Sequence, residues 1–326
     1  MTNDTPPTLF DAVIVGGGAA GLSAAVALGR ARRSVAVVDA GEPRNAPASG
    51  VHNFLTRDGT PPAELMQLGR AEVESYGGTI VRGTAVSATR TDAGFTVTTD
   101  DGTVVTGRRL LVATGLVDDL PTIPGLRERW GRNVLHCPYC HGWEVRDHAI
   151  GVLATGPSTM HQALLFRQLS DRVTVLLHQA PDLTEDEFEQ LAARGIPVVR
   201  GRVVSVEASG DRLTGVTLDD GTVHPIEELV VAPVFTARGG LLESLGAEVL
   251  PHPMGVGTFI ETDAMGATSV PGVWAAGNVT DLVGQVVTSA AQGLRAGAAL
   301  NADLVAEETR DAVAAYRAAR ASALAG

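Results

Sequence analysis

The stretch Gly16-Gly17-Gly18-Ala19-Ala20-Gly21 decides the fold, because a G-x-G-x-x-G loop belongs between a strand and a helix. The residues before it, Ala12 to Val15, form a short apolar run, and Ala19 to Arg30 is rich in helix formers. Ser34 to Asp39 is apolar again and ends in an acid. This order predicts a strand, a helix and a second strand around the loop.

The three loop glycines have separate tasks in a dinucleotide site. Gly16 permits the tight turn, Gly18 lets the backbone approach a pyrophosphate, and Gly21 lets the helix pack closely on the strand. Asp39 is placed to accept hydrogen bonds from ribose hydroxyls. A glycine-rich turn without a ligand is the competing interpretation, but the strand, helix and acid favour a dinucleotide. The loop does not distinguish NAD from FAD, since both carry a pyrophosphate and a ribose.

A second set of elements in the same order follows. Ala149 to Leu153 predicts a strand, Ser158 to about Leu169 a helix, and Arg172 to Leu177 another strand, with Gly156 in the first loop. The string Asp-Asp-Gly-Thr-Val also occurs twice, the second time at Asp219 to Val223. The chain is therefore predicted to be an α/β protein with two Rossmann-like nucleotide-binding domains, the second inserted in the first.

The boundaries of the two domains follow from hinges near Asp118 to Gly125 and Arg238 to Gly240, where proline or glycine interrupts the pattern. Residues 1–117 and 241–326 are assigned to the first domain and residues 118–240 to the second. The remaining predicted elements are the hairpin strands Phe95 to Thr98 and Thr103 to Val105, the strands Arg109 to Ala113, Leu229 to Ala232 and Gly272 to Ala276, a long helix Val286 to Val305 and a helical tail Ala306 to Gly326.

Composition excludes several classes of function. The 25 basic residues are all arginine and face 37 acidic ones, for a net charge of −12. This charge disfavours nucleic acid and anionic membranes as partners, and the lack of lysine excludes Schiff-base chemistry and a Walker-type lysine. No apolar run reaches membrane-spanning length, and Met1 to Phe10 lacks a basic region, so a cytoplasmic location is expected.

The only two cysteines form the motif Cys137-Pro138-Tyr139-Cys140. Residues three apart on a helical turn share a face, so this pair can open and close as a disulfide without refolding. Pro138 suits the first helical position, which puts Cys137 at the cap, where the helix dipole favours a thiolate. The motif therefore predicts a redox-active pair.

Three other interpretations of the cysteine pair compete. The cysteines are buried and unreactive, or they bind zinc, or they belong to a glutaredoxin-type site. Zinc would use His136, Cys137, Cys140 and His141 with no distant second pair, which is a poor tetrahedral arrangement, so no metal site is predicted. A glutaredoxin would carry the motif at the first strand of a short domain, which does not describe residue 137.

Several motifs resemble those of the flavoprotein disulfide reductases. Val112 to Gly115 and Gly272 to Asn278 are similar to their second and third FAD-contacting motifs, and Gly284 to Thr288 to the helix start at the flavin pyrimidine edge. With the cysteine motif, the order resembles the low-molecular-weight thioredoxin reductases over essentially the whole chain. The resemblance implies a homodimer with bound FAD. The FAD contacts that it implies are Gly16, Gly18, Ala19, Ala20, Gly21, Asp39, Asn45, Asn53, Thr114, Gly115, Gly277, Asn278, Gln285 and Val286. Asn278 departs from the family, which usually has aspartate there to bind the ribityl chain.

The same resemblance assigns Cys140 to the flavin side and Cys137 to exchange with substrate. Reductases that use NADPH generally have aspartate after the second cysteine, whereas this chain has His141-Gly142-Trp143-Glu144. That sequence resembles the dithiol oxidases of holomycin and gliotoxin biosynthesis. It implies an acid-base role for His141, with His136 as a possible assistant. A histidine on the helix surface is the alternative interpretation of His141.

The second nucleotide loop lacks the features of a working NADPH site. Ala154 and Thr159 stand where the fingerprint needs glycine, and His178 is followed by Gln-Ala-Pro instead of paired arginines. Gln179 to Gln190 holds five acids and no cation, which would repel a 2′-phosphate. The acids also have a local explanation, because Thr184-x-x-Glu187 is a capping box. Arg202 remains an alternative source of positive charge.

These features together predict an FAD-dependent dithiol oxidase. It would close an intramolecular disulfide in a small-molecule dithiol of secondary metabolism and pass the electrons to molecular oxygen, giving hydrogen peroxide. Two alternatives stay open. One is a thioredoxin reductase fed by NADPH or ferredoxin, and the other is a non-catalytic flavin or redox sensor.

Overall fold

The computed structural model describes residues 9–325, and its first elements surround the glycine loop as expected. The predicted helix Ala19 to Arg30 is confirmed at both ends. The elements up to residue 119 are β1 (Leu9–Val15), α1 (Ala19–Arg30), β2 (Val35–Asp39), α2 (Pro62–Ser75), β3 (Thr79–Arg82), β4 (Ala85–Thr91), β5 (Gly94–Thr99), β6 (Val104–Val112) and β7 (Leu116–Asp119).

The rest of the chain contributes twelve strands and five helices within the described residues. Those of the middle part are β8 (Val134–Leu135), α3 (Pro138–His141), β9 (Ile150–Leu153), α4 (Thr159–Phe166), β10 (Val173–Leu176), α5 (Glu185–Ala193), β11 (Val198–Val199), β12 (Val203–Ser209), β13 (Arg212–Leu218), β14 (Val223–His224) and β15 (Glu228–Val231). The last are β16 (Val234–Ala237), α6 (Gly240–Ser244), β17 (Val249–Pro251), β18 (Gly257–Ile260), β19 (Val273–Ala275) and α7 (Val286–Ala325).

The first sheet has the order β3-β2-β1-β6-β5-β4, and its β3-β2-β1-β6 part is parallel. Strand β6 changes partner along its length, because its first half pairs antiparallel with β5 and its second half pairs parallel with β19. The prediction of two strands, Thr103 to Val105 and Arg109 to Ala113, was therefore wrong. They are one continuous strand that exchanges one neighbour for another near Arg108.

Helix α7 joins two segments that the sequence analysis treated separately, Val286 to Val305 and the alanine-rich tail. Its first half packs on α1, where Ala296, Leu300 and Leu304 are almost completely buried. Next come acids that pair with arginines of the first sheet, and hydrogen bonds from Arg33 and Arg108 lower the pKa of Glu308 to about 2. The side chains that follow are exposed nearly without exception. The tail thus continues a helix whose stability comes from its buried half.

The middle part forms a five-stranded parallel sheet with the order β11-β10-β9-β15-β8. An antiparallel β12-β13-β14 sheet follows it. Helix α3, which carries the cysteine motif, begins three residues after β8 and so lies at the carboxyl end of the parallel sheet. That edge is where parallel α/β sheets place their ligands.

The chain crosses between the two sheets on paired strands. Strand β7 pairs antiparallel with β16, so that Leu116 faces Ala237 and Asp119 faces Val234. The first predicted hinge, Asp118 to Gly125, begins inside β7, and the second begins directly after β16. Each strand has only four residues. The two crossings therefore form one ribbon, extended on the other side of β16 by β18 and β17.

The described residues contain no helix that is both long enough and apolar enough to span a lipid bilayer.

Removing residues 311–326 tests how far the stability of α7 depends on its buried half. The shortened protein should melt within about 2 °C of the full chain, because exposed residues contribute little to the free energy of unfolding. Leu304→Ala is the matched change in the buried half and should cost about 2–5 kcal/mol. Thermal unfolding followed by circular dichroism measures both. Equal losses in the two proteins would show that the tail is packed.

Candidate active site

A cavity of about 1170 Å³ brings most of the predicted site residues together. Ligand pockets usually measure about 300–1,000 Å³, so this one has room for a large cofactor. The predicted residues that line it are Gly16, Gly18, Ala19, Ala20, Asp39, Asn45, Thr114, Gly115, His136, Cys137, Cys140, His141, Gly277, Asn278, Gln285 and Val286. Gly21 and Asn53 are the predicted residues outside its lining.

The glycine loop has the geometry of a phosphate cradle. A Cβ atom on Gly18 would meet no protein atom within 4 Å, so the backbone there is open to the cavity. Gly18 also caps α1 without any side-chain hydrogen bond, which leaves N–H groups at the helix start for an anion. Gly21 lies beneath the loop, because its Cβ would stand 1.8 Å from the Gly16 carbonyl oxygen. These features fit a dinucleotide pyrophosphate.

Asp39 lies beside the loop at the end of β2. Its Oδ1 accepts a hydrogen bond of 3.0 Å from the Gly17 N–H, and its Oδ2 lies 3.8 Å from a guanidinium nitrogen of Arg70. Arg70 lines the cavity but was missed in the sequence, since it comes from α2 and belongs to no motif. The loop thus orients the carboxylate at the place expected for a ribose.

Arg44 is a second cavity residue that the sequence analysis missed. Its guanidinium makes two hydrogen bonds to Asp118, of 2.7 and 2.5 Å, and a third of 3.3 Å to Asn278 Oδ1. It also lies 5.2 Å from the centre of the Phe235 ring. Asp118 belongs to β7 and Phe235 to β16. Arg44 therefore joins both crossing strands to the cavity wall.

Both the nitrogen and the oxygen of the Asn278 side-chain amide form hydrogen bonds with other protein atoms. Its Nδ2 donates to the carbonyl oxygens of Asp281 and Gly284, each at 2.8 Å, while its oxygen faces Arg44. Because the Asn278 amide is neutral, Asp118 is the residue that balances the charge of Arg44 here. The residue supports the loop before α7 and sets its amide oxygen against Arg44.

Cys137 and Cys140 are joined in a disulfide, with their Cα atoms 5.2 Å apart. Cys137 caps α3 as predicted, and its Sγ accepts the Cys140 N–H at 3.2 Å. Pro138 occupies the first turn. Within residues 9–325, no group of three or more His, Cys, Asp or Glu side chains converges as a metal site. The pair and the glycine loop line the same cavity.

His141 follows the disulfide directly and is partly buried. Its Nε2 atom is screened from solvent and has no hydrogen-bond partner among residues 9–325. Burial lowers the pKa of the His141 imidazole, with Glu144 opposing the shift and His52 adding to it. The ring is therefore neutral near pH 7, with a nitrogen able to accept a proton.

His136 precedes the disulfide and has fixed neighbours. Its Nδ1 lies 3.2 Å from the Val231 carbonyl oxygen, an acceptor, and 3.1 Å from the Gln162 amide nitrogen, a donor. The Gln162 amide donates to the His136 carbonyl at 3.1 Å. Burial, and to a smaller degree the charge of Arg44, lowers the pKa of His136. Both histidines beside the cysteines are thus neutral imidazoles.

Comparison with known proteins decides the family. Residues 10–293 match the family model described as pyridine nucleotide-disulphide oxidoreductase. The chain belongs to this family. It is a flavin-dependent thiol:disulfide oxidoreductase of the thioredoxin reductase-like type.

The oxidoreductase is similar over most of its length to curated and solved relatives. Thioredoxin reductase sirT of Leptosphaeria maculans is 33% identical, covering 91% of this chain and 95% of the relative. Thioredoxin reductase tcpT of Claviceps purpurea is also 33% identical, with coverage of 92% and 95%. The crystal structure of HlmI has 46% identity and a TM-score of 0.88, and the match covers 94% of this chain and 96% of HlmI.

The second nucleotide loop of this oxidoreductase differs from the first. Thr159, at a glycine position of the fingerprint, is buried, and its hydroxyl donates to the Gly156 carbonyl. The capping box of Thr184 and Glu187 is confirmed, so part of the acidic stretch has the predicted local role. Arg200 pairs with Asp182 at 3.1 Å, whereas the charge of Arg202 helps to lower the pKa of His178.

Alanine at two loop glycines tests the cradle. Gly18→Ala should fold with an unchanged melting temperature of the flavin-free protein, yet lose most bound flavin, because the methyl group enters the cavity. Gly21→Ala should lower that melting temperature as well, since its methyl group meets the Gly16 carbonyl. The visible absorbance per chain and thermal unfolding measure the two effects. Full flavin content in Gly18→Ala would place the cofactor elsewhere.

Proposed function

We propose that this oxidoreductase is an FAD-dependent dithiol oxidase. It closes an intramolecular disulfide in a small-molecule dithiol, with dioxygen as the electron acceptor and hydrogen peroxide as the second product. The reaction is balanced, because two thiol protons and two electrons go to one dioxygen. The observation that carries the proposal is the disulfide Cys137–Cys140, which shares one cavity with the dinucleotide loop and is followed by a partly buried histidine whose pKa is lowered by burial.

The proposed FAD contacts and the cysteine pair belong to different domains, each built around one of the two sheets. Residues 1–117 and 241–326 form the FAD-binding domain, with the predicted contact residues around the glycine loop and the start of α7. Residues 118–240 form the inserted domain with the cysteines. FAD held by these residues would supply the two-electron redox chemistry that links the cysteine pair to dioxygen. We further propose a homodimer in a reducing cytoplasm, where a lone cysteine pair serves redox chemistry.

The two cysteines divide the exchange between them. A substrate thiolate attacks Cys137 and forms a mixed disulfide, which releases Cys140 as a thiolate. The second thiolate of the substrate then attacks the substrate sulfur that is bonded to Cys137. This closes the substrate disulfide and releases Cys137 as a thiolate. The enzyme is left as a dithiol that has gained the two electrons, with Cys140 on the flavin side. Cys137 at the helix cap is the leaving group best suited to carry the negative charge.

His141 is proposed as the base of these thiol steps. Each dithiol that closes to a disulfide releases two protons, and a small-molecule thiol with a pKa of about 8.5 is mostly protonated at pH 7. A neutral imidazole accepts such a proton, whereas an aspartate with a pKa of about 4 is a weak base for it. The screened Nε2 lacks a partner while the sulfurs are joined. That nitrogen is the atom proposed to accept the proton of the substrate thiol.

A second candidate is a thioredoxin reductase that passes electrons from NADPH to a protein disulfide. The relatives sirT and tcpT are named thioredoxin reductases. Burial and, after it, the charge of Arg202 lower the pKa of His178, so one cation lies near the residue that follows β10. The acids of α5 and the buried Thr159 disfavour a bound 2′-phosphate.

Anaerobic titration of the yellow protein separates the two candidates. A small dithiol such as dithiothreitol should bleach the flavin, and admitting air should restore the colour with one hydrogen peroxide per dithiol. NADPH at micromolar concentration should leave the flavin oxidised, because the second loop lacks its glycines and a cluster of cations. Rapid bleaching by NADPH, followed by reduction of thioredoxin, would establish the reductase instead.

Replacing His141 by alanine should lower dithiol turnover by roughly 10²- to 10⁴-fold at neutral pH. Because burial lowers the pKa of His141, the wild-type rate should fall only below about pH 6.5. The variant should regain much of its rate near pH 9, where the substrate ionises by itself. His224→Ala, in the distant β14, is the matched control. A variant as active as the wild type at neutral pH, or equally impaired at all pH values, would transfer the role to His136.

A further inference from the structure

A closed loop of the first domain reaches across to the cysteine motif. Residues Val51 to Thr60, here called the clamp loop, begin and end on a two-residue bridge. The Val51 N–H donates to the Thr60 carbonyl and the Gly59 N–H to the Val51 carbonyl, each at 2.8 Å. Inside it, Asn53 and Thr56 have φ angles of 60° and 71°. Thr56 is β-branched, and such residues rarely adopt a left-handed backbone.

Asp58 holds the clamp loop in this shape. Its Oδ1 accepts the Asn53 N–H at 2.9 Å, and its Oδ2 lies 3.4 Å from His52 Nδ1. These contacts, led by the Asn53 N–H, lower the pKa of the Asp58 carboxyl. The backbone of Asn53 is therefore fixed from within the loop, and its side chain is directed outward.

The clamp loop touches the cysteine helix at Tyr139. The Asn53 Nδ2 donates to the Tyr139 carbonyl oxygen at 2.6 Å and lies 3.5 Å from Gln285 Oε1, directly before α7. A second contact joins His52 Nε2 to the Glu144 carboxylate at 3.5 Å. Tyr139 stands between the two cysteines. One amide thus connects the cysteine motif to the start of the helix at the cavity wall.

We propose that Asn53 is a positioning residue that fixes Cys140 relative to the flavin through the Tyr139 carbonyl. The inference rests on the proposed flavin site and on the flavin-side role of Cys140. It differs from the sequence-based expectation that Asn53 contacts the cofactor itself, because the side chain is outside the cavity lining and hydrogen-bonded to the cysteine helix.

Asparagine is suited to this position for two independent reasons. It tolerates the left-handed backbone better than other residues with a Cβ. Its Nδ2 is a donor, and the last carbonyls of a short helix such as α3 lack donors inside the helix. Aspartate would keep the shape but present only acceptors to the Tyr139 carbonyl. Glycine would keep the backbone angle and remove the donor.

The test compares Asn53→Gly and Asn53→Asp with the wild type. Each protein of the comparison, and its control below, is also made with Cys137→Ser, where no disulfide can form and the flavin stays oxidised beside a free Cys140 without added reductant. The long-wavelength absorbance of a Cys140 thiolate against the oxidised flavin is then recorded in each protein. We expect this absorbance to fall several-fold in Asn53→Gly and further in Asn53→Asp, with flavin content unchanged. The turnover number should fall about 10-fold or more while KM stays the same, because substrate meets Cys137 and a misplacement near 1 Å slows the chemical step.

Thr56→Gly is the matched control, because it changes the other left-handed residue of the clamp loop and leaves the Asn53 amide in place. It should keep the absorbance and the turnover number of the wild type. An equal loss in Thr56→Gly and Asn53→Gly would assign the effect to the loop backbone and overturn the proposal.

Other outcomes are equally decisive. Loss of flavin from Asn53→Gly would make Asn53 a cofactor contact, and unchanged absorbance would remove its positioning role. Cys140→Ser should lack the absorbance, and its persistence there would overturn the assignment of Cys140 and the inference with it. A wild type without aerobic dithiol turnover, alongside a Cys137→Ser protein that shows the absorbance, would refute the oxidase function alone and leave the Asn53 comparison valid.

Discussion

The ion pair of Arg44 and Asp118 joins the two parts on which the chemistry of this protein depends. Arg44 belongs to the wall of the dinucleotide cavity, and Asp118 to the first strand that leaves for the cysteine-bearing sheet. The Asp118 side chain is only 9% exposed, so its charge needs the two hydrogen bonds from Arg44. Phe235 of the return strand lies under the same guanidinium. One cation therefore holds both chain crossings against the cavity.

The environment of the disulfide favours neutral bases over fixed charges. Burial lowers the pKa values of His136 and His141, which stand on either side of the cysteine motif. An imidazole that stays neutral at pH 7 can take a proton from a thiol, and a carboxylate with its usual pKa does so poorly. Histidine in place of aspartate after the second cysteine thus supports the proposed oxidation of a dithiol to a disulfide.

Local features of the site were predictable from the sequence, and long-range ones were not. The helix formers and glycines near α1 predict where that helix lies, and Pro138 predicts the cap at Cys137. All of these signals lie within a few residues of the feature that they predict. Arg44 and Asp118 are 74 positions apart, and Asn53 and Tyr139 are 86 apart. No spacing or periodicity connects such residues. The β7–β16 pairing was missed for the same reason, because each strand is short and finds its partner more than a hundred residues away.

Because one domain is inserted in the other, the position of the cysteines relative to the first domain depends on a small number of contacts. The two crossings pair as one ribbon, and Arg44 joins that ribbon to the cavity wall. The clamp loop makes a separate contact with the cysteine helix at Tyr139, from a left-handed backbone at Asn53. Strained residues of this kind persist when the surrounding contacts determine them, and they cluster at functional sites. The left-handed backbone of the clamp loop therefore supports the proposed role of Asn53 in setting the distance between the disulfide and the cofactor.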